Sequence, residues 1–312
     1  MPELPEVHTT VKGLKRTVIG LTISDVWTSY KSNYAPYKKQ IKNSRFFTKF
    51  KKEVVGQKII AVCRRHKNIL IDLSNNKTIL IHMKMTGHLM YGRYKKTGVG
   101  NGKRDWHKEE WEPIDKNKNL HDPFNRHIRL VFTFTNKKQL VLSDVRKFAK
   151  VTMLDTEDLN DSEEIKKLGP EPLNKTFTFK VFKERVATKQ NAPIKSVLMD
   201  QTVVSGIGNI YSDEILFEAG VHPESPVKNI LDEALKNIYK NIKPLLKKGI
   251  RFGGDSTSDY RDITGARGKF QGTHNAYRKT GKPCSKKDGG TIERKVIRGR
   301  SAHFCSKHQI KY

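Results

Sequence analysis

IKSVLMDQTVVSGIGNIYSDEILFEAGVHP (residues 194–223) holds two helical segments separated by a glycine turn. Gly206 and Gly208 give the backbone the freedom that a tight turn needs. Asn209 then opens a second helix, whose first amides lack helical acceptors and can meet a phosphate. A helical hairpin packed only for stability accounts for the apolar positions of this stretch but not for its polar ones. The helical pattern continues on both sides, through FKVFKERVATK (179–189) and LDEALKNIYKNIKPLLKKGI (231–250).

Upstream the period changes. QKIIAVCRRHKNILIDLS (57–74), KTILIHMKMTGHLMYG (77–92), HIRLVFTFTN (127–136) and QLVLSDVRKFAKVTML (139–154) are short, β-branched apolar runs broken by Asn, Gly and Lys turns. Their succession predicts an antiparallel sheet or sandwich. Residues 94–125, rich in Lys, Gly and Asn around Trp106 and Trp111, have no period and read as a long surface loop. Val7, Val11, Leu14 and Val18 predict an amphipathic helix directly after MPELPEV. An acidic patch, Asp155 to Glu164, and the two prolines of LGPEPL (168–173) mark a boundary. The expected division is 1–155, a linker 156–175, a helical domain 176–265, and a terminal module 266–312.

The charge is lopsided: 61 Lys+Arg against 32 Asp+Glu, a net +29. That balance points to a polyanionic partner, although a ribosomal-type or merely solvated basic surface has the same composition. Eight of the basic residues fall within Lys38–Lys58 and nine within Gly281–Tyr312, so both stretches are candidate phosphate-binding surfaces. Three well-separated cysteines, Cys63, Cys284 and Cys305, argue against a disulfide framework and for a reducing compartment. No run approaches the ~18 apolar residues of a membrane span, and the N-terminus lacks a signal-peptide pattern. The expectation is a soluble, intracellular monomer, cytoplasmic or on the nucleoid, with no membrane partner.

Removal of Met1 would leave Pro2 with a secondary amine. Terminal amines titrate near pH ~8, so a fraction is nucleophilic at neutrality. Attack on a sugar C1′ would give a cationic iminium, an electron sink that permits elimination of phosphate, and Glu3 and Glu6 are close enough in sequence to handle protons. A proline after methionine can equally be only a terminus. The whole string PELPEV, leading into a helix of a basic protein, resembles the formamidopyrimidine-DNA glycosylase family, relatives of endonuclease VIII, and the resemblance runs through nearly the whole chain. Leu4 favours the formamidopyrimidine branch, since endonuclease VIII relatives usually carry glycine there.

The resemblance implies Pro2 as the Schiff-base nucleophile and Glu3 as the proton donor, with Glu6 and Lys67 in support; Lys67 lies in RRHKNILI (64–71), similar to the family's RRGKYLL. By itself a lysine there is a strand-edge charge. IHMKMTGHL (81–89) resembles HLGMSGSL, which implies that Met85 fills the gap left by an extruded base. DVRKF (144–148) implies that Arg146 faces the orphaned base and Phe148 wedges between bases. Duplex bases are unreachable while stacked, and such wedges offset an unstacking cost of about a few kcal/mol. Without the resemblance the three are core packing and an exposed turn. NRHI (125–128) replaces the family's KHDH, leaving His127 as a phosphate contact. The stretch 194–223 is similar to the family's helix-two-turn-helix, which implies DNA contacts at Lys195 and Asn209 and a supporting role for Glu214. Tyr277 and Arg300 are further implied DNA contacts. Glycines 265, 268 and 272 fall where the oxidised-purine enzymes carry a loop that closes over the flipped base, and a simple linker would look the same.

Family members bind zinc through two CxxC pairs on a β-hairpin finger. Here the corresponding positions are Cys284, Asp288, Cys305 and His308, an acceptable but altered ligand set for one structural zinc ion, with a metal-free hairpin as the alternative. The implied fold class is α+β: an N-terminal antiparallel β-sandwich with flanking helices, a C-terminal helix-two-turn-helix domain and a β-hairpin finger of zinc type. The implied function is a bifunctional glycosylase and abasic-site lyase on damaged double-stranded DNA, removing 8-oxoguanine and formamidopyrimidines by β,δ-elimination. The alternatives are an endonuclease VIII-like enzyme for oxidised pyrimidines and a non-catalytic binder of damaged DNA or structured RNA.

Overall fold

The computed structural model describes residues 1–97 and 111–312. Chain contacts gather two compact units: Met1–Pro2, Glu6–Ser162 and Gly253–Lys269 in the first, Glu3–Pro5, Glu163–Phe252 and Phe270–Tyr312 in the second. The first unit is therefore not one continuous stretch. Gly253–Lys269, which the sequence reading divides between the helical domain and the terminal module, packs with the sandwich.

In the first unit α1 (Leu4–Thr17) buries Val7, Val11 and Leu14, the predicted apolar face. Two four-stranded antiparallel sheets follow. One has the order β1 (Ile23–Thr28), β8 (Ile128–Phe134), β9 (Gln139–Ser143), β5 (His88–Gly92); the other runs β10 (Lys150–Asp155), β4 (Lys77–His82), β3 (Asn68–Leu73), β2 (Ile59–Arg65). Ile69, Ile71, Ile79 and Ile81 of the second sheet share a core with Leu130, Phe132, Leu140 and Leu142 of the first. Those side chains recur at every second residue, as a one-face-buried strand requires. Each contributes ~1.5–3 kcal/mol by burial.

Two elements lie where no periodicity was read. β1 (ISDVWT) pairs with β8 through a register shift between Ile23 and Asp25. Helix α2 (Ser44–Val54) is capped by Asn43, whose side chain accepts the Phe46 amide at 3.1 Å, and it buries Phe50 and Val54. The basic stretch 38–58 thus includes the outer face of a helix. Within the expected loop 94–125, β6 (Tyr94–Lys96) pairs with β7 (Trp111–Pro113), and Leu120 is buried beside Tyr94. The burial of these apolar side chains fixes what composition alone reads as loop. Trp106 lies outside the described residues.

The second unit holds α3 (Phe179–Ala187), α4 (Ile194–Met199), α5 (Asn209–Ala219) and α6 (Asp232–Arg251) around one apolar core, followed by the hairpin β11 (Ile292–Ile297) and β12 (Arg300–Cys305). Arg298 and Gly299 join the two strands with φ of 44° and 75°, the left-handed pair of a tight two-residue turn.

Candidate functional site

Glu3 is buried, and its carboxylate caps helix α5: Oε2 accepts the Gly208 amide at 2.6 Å and Oε1 the Ile210 amide at 2.9 Å. Leu4 donates its own amide to the Gly206 carbonyl at 3.0 Å. The glycines are obligatory here, since a Cβ on Gly208 would stand 2.5 Å from the Glu3 carboxyl carbon and one on Gly206, at φ 93°, 2.7 Å from Leu4. The turn of the 194–223 motif is thus the socket for the residue beside Pro2, where unpaired helix amides favour an anion.

Within the first unit, Pro2 is buried while Met1 is 40 % exposed. Glu6 is buried and its Oε1 accepts the Asp255 amide at 2.8 Å, while the Glu6 carbonyl accepts from Tyr260 and Thr10 at 3.0 Å each. Glu6 therefore fixes the glycine turn at 253–254 rather than standing open. Lys67 is buried at the β2–β3 turn, next to His66 at φ 59°. Desolvation and the charges of Lys84 and Lys67 push the His82 pKa down to about 3, so that ring is neutral.

The β4–β5 turn carrying Met85 and the β9–β10 turn carrying Arg146 and Phe148 are tied together by Asp144, which is fully buried. Its carboxylate accepts from the Thr86 hydroxyl, from Tyr30 at 2.9 Å and from the Ala149 amide at 2.8 Å; the Arg146 amide donates in turn to Thr86 Oγ1 at 3.1 Å. Burial and Asp144 raise the Tyr30 hydroxyl well above its ordinary range, keeping it a donor. Phe148 is 45 % exposed, with the Arg146 guanidinium 4.6 Å from its ring centroid. Three side chains of the predicted wedge thus come from two turns that one carboxylate organises. His127, on the strand entering β8, is half-buried, and burial with Arg129 and Arg126 lowers its pKa.

In the second unit Lys195 is not displayed. Its ammonium is buried, ion-paired with Asp213 and within 3.3 Å of Ser212 Oγ. The other oxygen of Asp213 accepts the His303 amide at 3.1 Å and meets His303 Nδ1 at 2.9 Å, so α5 is fastened to the finger strand β12. Lys195 nevertheless lines a depression of about 210 Å3 together with Arg298 and Arg300. The Asn209 side-chain carbonyl has no protein partner among the described residues. Glu214 accepts the amides of Asn275, Ala276 and Tyr277 at 2.8–3.0 Å, which sets the backbone of Tyr277; burial outweighs those amides and raises its pKa.

The sequence reading missed Asp144, Asp213 and His303. DVRKF begins on Asp144, the only hint that the segment could have given. The expected glycine-rich closing loop is tied down: Asp262 Oδ1 accepts the amides of Thr264 and Ala266, the Gly268 amide donates to Ser256 at 2.8 Å, and Phe270 is buried against Tyr211. Of its three glycines Gly265 alone needs a positive φ, of 80°; Gly268 is required because a Cβ would collide with the Gly254 carbonyl.

At the finger, donor atoms of Cys284, Asp288 and Cys305 lie within 4.8 Å of one another. The Cys305 thiol donates to Asp288 Oδ2 at 3.4 Å, and Asp288 accepts the Gly290 amide at 2.8 Å. Burial first, with the neighbouring thiol and carboxylate, pushes the Cys284 thiol up to about 11. A tetrahedral zinc site with bonds of 2.0–2.3 Å spaces its ligand atoms roughly 3.3–3.8 Å apart, so the three can hold such an ion. His308, expected as the fourth ligand, stands outside this cluster by either ring nitrogen, and its Nε2 meets the Phe217 carbonyl at 2.7 Å.

Comparison with known proteins follows these lines. Residues 1–151 match the formamidopyrimidine-DNA glycosylase N-terminal domain and residues 168–261 the formamidopyrimidine-DNA glycosylase H2TH domain. The chain is 35 % identical over 311 residues to the formamidopyrimidine-DNA glycosylase of Bacillus subtilis, covering all of both chains, and 32 % identical over 305 residues to that of Pelotomaculum thermopropionicum, covering 98 % of each. It is similar, with a TM-score of 0.80 and 29 % identity over 99 % of this chain and 100 % of the other, to Lactococcus lactis Fpg solved in complex with DNA containing an abasic site. With a sandwich, a helix-two-turn-helix and a hairpin finger all in place along matching sequence, the chain belongs to the formamidopyrimidine-DNA glycosylase family.

Proposed function

We propose that this DNA glycosylase of base excision repair removes oxidised purines, 8-oxoguanine and formamidopyrimidines among them, from duplex DNA and then cleaves the strand as a lyase. The observation that carries the reading is the hold on Glu3. Two amides at the start of α5 fix its carboxylate, one on each oxygen. The residue next to the reactive terminus is therefore positioned by the most distinctive motif in the chain.

With Met1 removed, the Pro2 nitrogen attacks C1′ of the damaged nucleoside. The N–C1′ bond forms as the glycosidic bond breaks; the base leaves with a proton from water, and the proton lost by the Pro2 nitrogen passes to the Glu3 carboxylate. Glu3 donates a proton to the sugar ring oxygen; the C1′–O4′ bond opens and the nitrogen lone pair gives a cationic iminium. Loss of a C2′ proton expels the 3′ phosphate, and a second elimination expels the 5′ phosphate. Met85, Arg146 and Phe148 fill the duplex from which the base is extruded. Lys195, Asn209, Tyr277, Arg300 and His127 serve the grip on phosphates around the lesion.

The finger would take one structural zinc through Cys284, Asp288 and Cys305, with His308 completing the set by Nδ1 after its ring moves in from outside the cluster. The bond from Nε2 to the Phe217 carbonyl supports this, because it keeps the proton on Nε2 and leaves the lone pair on Nδ1, the usual outer partner of a ligating histidine. Bound zinc supplies no chemistry to the lesion; it neutralises the thiolates and locks the hairpin.

Borohydride trapping on 8-oxoguanine duplex tests the central step. A covalent adduct with native protein that vanishes in Pro2→Gly is expected; binding without an adduct overturns the reading. Comparing 8-oxoguanine opposite cytosine with thymine glycol tests the substrate class, and faster excision of thymine glycol overturns it.

A further inference from the structure

The second unit contains a cavity of about 480 Å3 that no step above uses. Its floor is aromatic: Phe177, from the segment before α3, and Tyr239 of α6 lie 5.6 Å apart, with the tyrosine hydroxyl donating to the Phe177 carbonyl at 2.8 Å. Its rim carries Lys175, Lys240, Lys243 and Lys247, all exposed, and none of them has an acidic partner among the described residues. Lysines along a helix are ordinarily a solvated face. Four of them around one concave aromatic floor, with no carboxylate among the lining residues, make a site that attracts a multiply charged anion.

A second observation concerns the wall. Pro244 lies inside α6, a 20-residue helix, and also lines the cavity. Proline in a helix interior is strongly disfavoured and has no N–H for the carbonyl four residues earlier. Here that carbonyl belongs to Lys240, itself a lining residue. The cavity thus combines cations, two aromatic rings inclined at 47° and the helical turn from which Pro244 removes a donor. A local rule broken where other unusual features converge is the pattern of a binding site.

We propose that this cavity binds a nucleoside polyphosphate. The phosphates lie on Lys240, Lys243 and Lys247 with Lys175 opposite, the base lies against the Tyr239 ring, and an exocyclic amine or ring N–H of the base donates to the Lys240 carbonyl. The ligand is separate from the damaged DNA and does not depend on the lesion chemistry of the preceding section.

The test is titration of the full-length protein with mant-ATP at 150 mM salt, read by fluorescence anisotropy. Saturable binding is expected, displaced by unlabelled ATP. The Lys240→Gln/Lys243→Gln/Lys247→Gln variant should weaken it about tenfold or more, and excision of 8-oxoguanine should stay at the native rate. Pro244→Ala restores the helical donor to Lys240 and should raise Tm while weakening mant-ATP severalfold. Absence of saturable binding overturns the proposal, as does a triple variant that binds as the native protein does. Displacement by inorganic tripolyphosphate as effective as by ATP overturns the nucleoside assignment. Displacement by an undamaged duplex whose own affinity falls in the triple variant makes the cavity a DNA contact and also overturns it.

Discussion

The wedge turns of the first unit and the finger of the second are both assigned to DNA, yet opposite chemistry holds them. Asp144 closes the wedge entirely within the protein: both oxygens are occupied, and the donors are Thr86, Tyr30 and the Ala149 amide. The finger converges two thiols and a carboxylate at short range, joined by a weak contact from the Cys305 thiol to Asp288, which also accepts the Gly290 amide. A buried network that is complete fixes a shape without help, whereas converging soft donors call for a cation. One region should therefore be indifferent to metal and sensitive to a single carboxylate, and the other the reverse.

Metal removal should give the largest effect. Structural zinc in small modules stabilises by ~10 kcal/mol or more, so chelation, or Cys305→Ser, should unfold the hairpin and abolish excision. Metal analysis of the purified protein checks the premise, and less than stoichiometric zinc with full activity would break the comparison at its root. His308→Ala should lower zinc affinity about 10–100-fold if Nδ1 is a ligand, and leave it nearly unchanged if the ring only docks on Phe217. Next in size is Asp144→Ala, which strands three donors and should cost about 3 kcal/mol in urea unfolding. Its signature is a larger loss in excising 8-oxoguanine than in incising a preformed abasic site, with zinc content unaltered.

Why the sequence revealed one region more readily than the other is itself physical. Helix α5 is buried all round and is read from the glycine turn before it, whereas helices α3 and α6 announce themselves by period, because each buries one face, and the seven sheet strands between residues 57 and 154 by short β-branched apolar runs. β1 does not, since its buried positions are interrupted by a register shift and charged neighbours. Helix α2 carries Phe46, Phe50 and Val54 at four-residue spacing but is masked by its lysines. The metal donors are legible because they sit at short spacing along the chain. Asp144 is not, because Tyr30 and Thr86 are 114 and 58 residues away and only folding brings them to it. The same holds for His303 and Asp213, 90 residues apart.

Acid should loosen the wedge side, and not it alone, since burial also lowers the pKa of His222 in the second unit. His82 and His88 flank the Met85 turn, with pKa values lowered to about 3 and about 4 from 6.5, both chiefly by burial. Their folded forms refuse a proton that the unfolded chain accepts, so stability is full above pH 6.5 and falls as pH drops toward the folded values. By pH 5 each can cost up to about 2 kcal/mol. Urea unfolding at pH 7 and pH 5 measures the loss, and His88→Gln should remove one proton's worth of the slope. An unchanged slope in that variant would assign the acid sensitivity elsewhere.

Arg146→Ala should have the smallest effect on stability and so separates building a wedge from using it. The side chain is exposed, and its contact with the Phe148 ring contributes about 0.5–1 kcal/mol. The backbone bond from its amide to Thr86 survives the substitution, so the Asp144 network stays closed. Unfolding should then be native within about 1 kcal/mol, while the extruded state loses the cation that faces the orphaned base. Fluorescence of 2-aminopurine placed opposite the lesion reports that state directly. If Arg146→Ala unfolds as readily as Asp144→Ala, the guanidinium is part of the frame; if base extrusion is native as well, the wedge lies in Met85 and Phe148 alone.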